Sequence, residues 1–183
     1  MNKIQKALAI ILVIAAVVFV AGCASQSTKK ASTNTTEKAG SLAEEHPDQS
    51  KEWMQITSAD ALNVSNAAAE LSTALSNSGD LAQIKDLTLY IETEANTSSY
   101  ESANYYVNAD LEPAQQKYAE MMGSYGAFAK RIDMSLEHIN AGNTAAAEVT
   151  TEDAAESLTR GNEHYAEYKA MIEDFKKKHP DMA

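Results

Sequence analysis

Apolar and polar residues follow three successive patterns along this chain, and the changes between them divide it. Every residue from Ala7 to Ala21 is apolar. Periodicity is then lost from Ala24 to about Gln49, where Ser25, Ser27, Thr28, Ser32, Thr33, Thr35 and Thr36 dominate, with Lys29, Lys30 and Lys38 among them. Such a stretch cannot bury enough apolar surface to offset its conformational entropy, so it reads as a solvated tether. From Ser50 apolar residues recur at steps of three and four, the period of an amphipathic helix.

Four helices follow from that period. The first, about 50–77, carries Trp53, Thr57, Ala61, Val64, Ala68, Leu71 and Leu75 on one stripe, and Ser76-Asn77-Ser78-Gly79 stops it. Asp80 caps the second, with Gln83 three residues on in a capping-box-like start. Its stripe is Leu81, Ile84, Leu87, Ile91 and Ala95. Two readings stand for what comes next. Asn96-Thr97-Ser98-Ser99 either bends the helix before Tyr105, Tyr106 and Val107 resume it, or continues it with its polar residues in water. Pro113 suits the start of the third helix, about 113–141, striped by Tyr118, Met121, Tyr125, Phe128, Ile132, Leu136 and Ile139. Gly142 stops it. The fourth begins at Asn143 or Thr144 and runs to Lys178, with Ala155, Leu158, Asn162, Tyr165, Tyr168 (or Lys169), Ile172 and Phe175 inward. Lys176, Lys177 and Lys178 complement the C-terminal end of its dipole, and Pro180 closes it.

The four spans are of similar length, about 27–35 residues each. Two of the links match: Asn77-Ser78-Gly79-Asp80-Leu81-Ala82 beside Asn140-Ala141-Gly142-Asn143-Thr144-Ala145. Both are helix–glycine–cap–helix turns, which make αα-hairpins. The predicted fold is therefore all-α: an up-down-up-down antiparallel four-helix bundle of two αα-hairpins over residues 50–179, with a short tail, 180–183.

Charge narrows the partners. The chain of 183 residues has a formal net charge of −11. Without Lys3 and Lys6, 13 basic residues face 26 acidic ones. So acidic a surface repels phosphates, which argues against nucleic acid and against a basic face on anionic lipid.

The N-terminus supplies a different attachment. Lys3 and Lys6 precede the apolar run, which is shorter than the roughly 20 residues of a spanning helix. It ends in Val20-Ala21-Gly22-Cys23, which holds the one cysteine and leaves no intrachain disulfide. These four residues resemble the lipobox of prokaryotic membrane lipoproteins, a resemblance confined to the first 25 or so residues. It implies that residues 1–22 are a signal peptide and 23–49 a lipidated tether. It further implies that Cys23 carries a diacylglyceryl group, so that lipid holds the chain on the membrane outside the cytoplasm. Two acyl chains suffice for stable anchoring. The other reading of the run is a signal anchor with an incidental cysteine. The helical part is similar in architecture to helical-bundle lipoproteins and extracytoplasmic sensor domains.

Candidate chemistry is sparse. A di-iron bundle needs Glu-x-x-His pairs, and none of His46, His138, His164 or His179 has Glu three residues before it. No Gly-x-Ser-x-Gly nucleophile turn and no glycine-rich phosphate loop occurs. No catalytic residue, metal ligand or cofactor is therefore assigned. Eight tyrosines against three phenylalanines are the distinctive feature. They serve either as amphipathic packing or, with methionine, as the lining of a pocket between helices. The candidate ligand or partner contacts are Tyr105, Tyr106, Tyr118, Met121, Tyr125, Asn162 and Tyr165. Asn34, Asn63 and Asn96 each open an Asn-x-Ser/Thr acceptor motif for glycosylation. The predicted function is a non-catalytic, lipid-anchored interaction module with a protein partner in the cell envelope; the alternative is a small-molecule-binding bundle with a Tyr/Met-lined pocket.

Overall fold

The computed structural model describes residues 46–182; the apolar run, Cys23, Asn34 and most of the tether lie outside them. Four helices form: α1 (Ser50–Ser76), α2 (Leu81–Ser102), α3 (Glu112–Asn140) and α4 (Thr144–Lys178). A 3-10 turn, Ala109–Leu111, leads into α3. No strand occurs among the described residues. The predicted all-α class and helix count are those observed.

Each helix buries a seam that advances by alternate steps of four and three. In α1 it runs Thr57, Ala61, Val64, Ala68, Leu71, Leu75, and in α3 Ala114, Tyr118, Met121, Tyr125, Phe128, Ile132, Ser135. In α4 it runs Ala147, Thr151, Ala154, Leu158, Gly161, then Tyr168, Ile172, Phe175. A mean step of 3.5 keeps a seam facing its neighbours through left-handed bundle packing. Helix α1 packs on α2, α2 on α3, and α3 most extensively on α4, while α1 also meets both α3 and α4. Hydrogen bonds set the direction of the chain. Gln83 Nε2 donates to Glu70 Oε1 across the α1–α2 turn (3.2 Å). At the other end Gln49 N–H donates to Tyr106 O (2.9 Å), and His179 meets Asp110 (3.1 Å). The chain thus runs up, down, up, down.

Helix α2 has 22 residues, shorter than the predicted range. Of the two readings at Asn96-Thr97-Ser98-Ser99, the continuous helix is the one observed. Ser98 and Ser102 are buried and extend the seam past Ala95, while Asn96 and Thr97 point to solvent. Small hydroxyls fit a narrow seam, so packing overrides their weak helix propensity. Tyr105, Tyr106 and Val107 do not resume the helix; they lie in the α2–α3 link.

Both hairpin turns use one device, displaced by a residue from the matched glycines. After α1, Gly79 N–H donates to Ala74 O (2.7 Å) and Ser78 N–H to Leu75 O (3.3 Å). After α3, Asn143 N–H donates to His138 O (2.9 Å) and Gly142 N–H to Ile139 O (3.0 Å). These are paired 6→1 and 5→2 Schellman bonds. The left-handed position is Gly142 (φ 78°) in the second turn but Ser78 (φ 52°) in the first. Gly79 serves a different purpose, because a Cβ there would stand 2.9 Å from Ala74 O. Asp80 and Asn143 then cap α2 and α4, accepting from Ala82 N–H and Ala146 N–H. Gln83 does not close a capping box, since its amide reaches Glu70 on α1 instead.

A non-glycine residue in the left-handed region costs roughly 1–2 kcal/mol. Ser78→Gly is therefore expected to raise unfolding stability by up to about 1 kcal/mol once the added entropy of glycine is counted. Gly79→Ala is expected to lower it. Urea unfolding of the two variants checks the assignment; the opposite signs would mean that Gly79 is the left-handed residue.

Candidate functional site

The candidate tyrosines part company in the structure. Tyr118, Tyr125 and Tyr168 are buried on the seams of α3 and α4, together with Trp53 of α1. Trp53 meets Tyr118 and Tyr168 edge-on, at centroid distances of 6.2 and 6.3 Å, and the two tyrosines tilt against each other at 5.5 Å. Edge-to-face contact of this kind adds about 0.5–1.5 kcal/mol per pair beyond burial. Three helices are joined by these rings.

Each hydroxyl has a partner. Tyr168 Oη pairs with Thr57 Oγ1 at 2.7 Å, while that threonine donates to Trp53 O (2.7 Å). Tyr118 Oη donates to Asp60 Oδ2 at 3.5 Å. Tyr125 Oη donates to Asn162 Oδ1 at 2.9 Å. Burial holds all three phenols protonated above their ordinary range, with Asp60 adding to the effect at Tyr118 and Tyr165 at Tyr125. Among the described residues, Trp53 Nε1 is the one buried side-chain polar atom without a hydrogen-bond partner. Met121 is buried with no exposed surface. Tyr118, Met121 and Tyr125 are thus core residues as the seam has them.

Helix α4 corrects the predicted stripe. Asn162 is exposed, and Gly161 occupies the seam position beside it. A Cβ on Gly161 would stand 2.8 Å from Tyr125 Cδ1, so the glycine is the notch into which that ring packs. The ring crosses Gly161 and its hydroxyl emerges at Asn162. Likewise Ala154, not Ala155, is fully buried. Glycine and alanine carry little hydrophobic signal, so sequence pattern alone placed the stripe one residue away. The alternation of four and three, extended backwards from Phe175 and Ile172, was the signal that finds Gly161. Tyr165 is half-buried, and Lys169 Nζ lies 5.3 Å above its ring.

A polar cluster bridges α3 and α4 that sequence reading did not assemble. Lys117 Nζ lies 2.6 Å from Glu120 Oε2 and 2.9 Å from Glu167 Oε2. His164 Nδ1 is 3.3 Å from the same nitrogen, so this histidine is part of the seam and not freely solvated. Hydrogen bonds donated to Glu120 and Glu167 hold the Lys117 ammonium charged above its usual range, and Lys117 in turn holds Glu120 below the usual carboxylate range. A lysine stabilised as a cation acts as a clamp between helices, the reverse of what a nucleophile needs. Further along the same two helices, Arg131 donates to Ser157 Oγ, and Ser135 pairs with Thr151 at 2.8 Å. Their spacing across two helices, 16 to 50 residues apart, is why no local motif announced them.

Tyr105 and Tyr106 lie in the α2–α3 link, which is latched to the start of α1. Tyr106 N–H donates to Gln49 Oε1 (3.1 Å) and Asn108 N–H to Ser50 Oγ (2.7 Å). His46 stacks flat on the Tyr106 ring at 3.8 Å. Tyr106 is exposed, whereas Tyr105 is half-buried. Asn63 and Asn96 are exposed on α1 and α2; Cys23 and Asn34 lie outside the described residues. Among the described residues no group of three or more His, Cys, Asp or Glu is placed to hold a metal ion, and no helix is long and apolar enough to cross a membrane.

No protein-family model, curated protein or solved structure matches the chain.

Two outcomes check this geometry. Gly161→Ala is expected to destabilise by about 1–3 kcal/mol through overpacking on Tyr125, against the normal gain of about 1 kcal/mol for that change in a helix. Gly123, with nothing within 4 Å of a built Cβ, is expected to show that ordinary gain when changed to alanine. Chemical denaturation reads both signs.

The buried phenols set the alkaline limit. Above the ordinary tyrosine pKa near 10, the unfolded chain loses protons that the folded chain keeps, so stability falls as pH rises. Below it both states are protonated and the phenols contribute no slope. Tyr118 and Tyr125 are each expected to approach a slope of about 1.4 kcal/mol per pH unit, and Tyr168 is expected to act in the same direction. Urea midpoints across pH 9 to 12 check this; a flat profile would mean that the hydroxyls reach solvent.

Proposed function

We propose that this chain is a lipid-anchored, extracytoplasmic interaction module of the cell envelope, without catalytic chemistry of its own. The observation that carries the reading is the use made of the tyrosines. Tyr118, Tyr125 and Tyr168 hold the bundle together with their hydroxyls partnered. What is offered to a partner is therefore the surface. At the tether end that surface includes Tyr106 stacked on His46, an aromatic pair next to the point where the tether enters.

The anchor is read from Val20-Ala21-Gly22-Cys23. A diacylated Cys23 supplies attachment that the acidic domain does not, because the chain's net charge of −11 opposes anionic headgroups. In this reading the serine- and threonine-rich stretch after Cys23 links the lipid to the bundle, and Gln49 and Ser50 bond the start of α1 to the α2–α3 link.

Fatty-acid labelling with membrane flotation tests the reading. The full chain is expected to take up label and float with membranes. Cys23→Ser is expected to take up none and to persist as an uncut precursor. The fragment 46–182 is expected to stay in solution beside anionic vesicles. Vesicle binding by that fragment, or an unlabelled wild-type chain, would contradict the anchor.

A further inference from the structure

We propose that Asn63 and Asn96 carry N-linked oligosaccharides that cover the outward face of the α1–α2 hairpin. The inference rests on the reading of an exported chain given above.

The face is unusual for so acidic a protein. Every exposed residue of α1 between 53 and 69, and of α2 between 87 and 100, is uncharged. The charges within those spans, Asp60, Glu92 and Glu94, are half-buried at the helix flanks. On α4, by contrast, Glu148, Glu152, Asp153, Glu156, Glu163 and Glu167 are all exposed. The two uncharged spans lie side by side. Gln83 on Glu70 at one end of the hairpin, and Gln49 on Tyr106 at the other, align the antiparallel helices so that 54–65 runs beside 89–100. Leu62 (49 % exposed), Leu89 (67 %) and Tyr100 (75 %) stand in this face.

The acceptor motifs indicate what covers it. Both that fall within the described residues, Asn63-Val64-Ser65 and Asn96-Thr97-Ser98, lie inside the uncharged face, one on each helix, with the asparagine exposed. An N-linked oligosaccharide is bulky and solubilising, so a surface beneath one does without the charges that the rest of the bundle displays. The donor is an oligosaccharide on a lipid pyrophosphate. Asn Nδ2 forms the bond to the anomeric carbon as the bond from that carbon to the pyrophosphate oxygen breaks. The electron pair leaves with the lipid pyrophosphate, and the amide gives up one proton. Ser98, the hydroxyl residue of the second motif, is buried, so transfer precedes folding of the hairpin.

The test is peptide mass spectrometry on the protein isolated from the cells that encode it. Peptides containing Asn63 and Asn96 are expected to carry a sugar mass increment, lost site by site in Asn63→Gln and Asn96→Gln while circular dichroism is unchanged. Unmodified Asn63 and Asn96 in a chain that is cut and lipidated at Cys23 would overturn the glycans and leave export standing. An uncut, unlipidated and unmodified chain would overturn both. Unmodified protein that dimerises, and that Leu89→Glu makes monomeric, would overturn the proposal in favour of an interface between two copies.

Discussion

Four large rings with polar atoms have to be closed inside a bundle whose helices are rich in alanine and serine, and the rest of the fold depends on how that is done. Trp53, Tyr118, Tyr125 and Tyr168 fill the space that small seam residues leave. Each phenol then needs a partner, since a buried hydroxyl without one costs about 1–3 kcal/mol. Thr57, Asp60 and Asn162 supply those partners from α1 and α4. The hydrogen bonds fix the rotation of α1 against α4 and of α4 against α3, which apolar contact alone leaves free to slide. Gly161 follows from the same constraint, because Tyr125 lies in the room left by its missing side chain.

That arrangement bears on function by separating interior from surface. The seam between α3 and α4 is closed by Lys117 among Glu120, Glu167 and His164, and by Ser135 on Thr151. These polar groups satisfy one another. The α1–α2 hairpin instead presents an uncharged outer face, and the α2–α3 link presents Tyr106 beside Gln49 at the start of α1. The bundle thus displays different surfaces on different sides.

Much of the architecture was legible in the chain. Helix class, helix number and most boundaries follow from the three-and-four period with Gly142, Pro113, Asp80 and Asn143 as punctuation. Seam register was legible only where residues are large. In α3, Tyr118, Met121, Tyr125, Phe128 and Ile132 announced themselves. In α4 the wall is Ala154 and Gly161, whose burial gives almost no hydrophobic signal, and the stripe was placed on Asn162. The same blindness made Asn96-Thr97-Ser98-Ser99 look like a break, although Ser98 is a seam residue. Of the candidate contacts, the sequence identified the tyrosines as distinctive. Whether a ring is lining or filler depends on Thr57, Asp60 and Gly161, distant residues that only the packing brings near.

The central claim is that the tyrosines fill the core and do not line an accessible pocket. Exchange of the Trp53 indole proton, followed by nuclear magnetic resonance, tests it most directly, because that proton sits among Tyr118 and Tyr168 with no internal acceptor to retard its exchange. A filled core allows exchange only when the whole domain opens, so the indole should be as protected as the slowest backbone amides of α3. Fast exchange under native conditions, with those amides still protected, would contradict the account and show that solvent reaches a cavity between the helices.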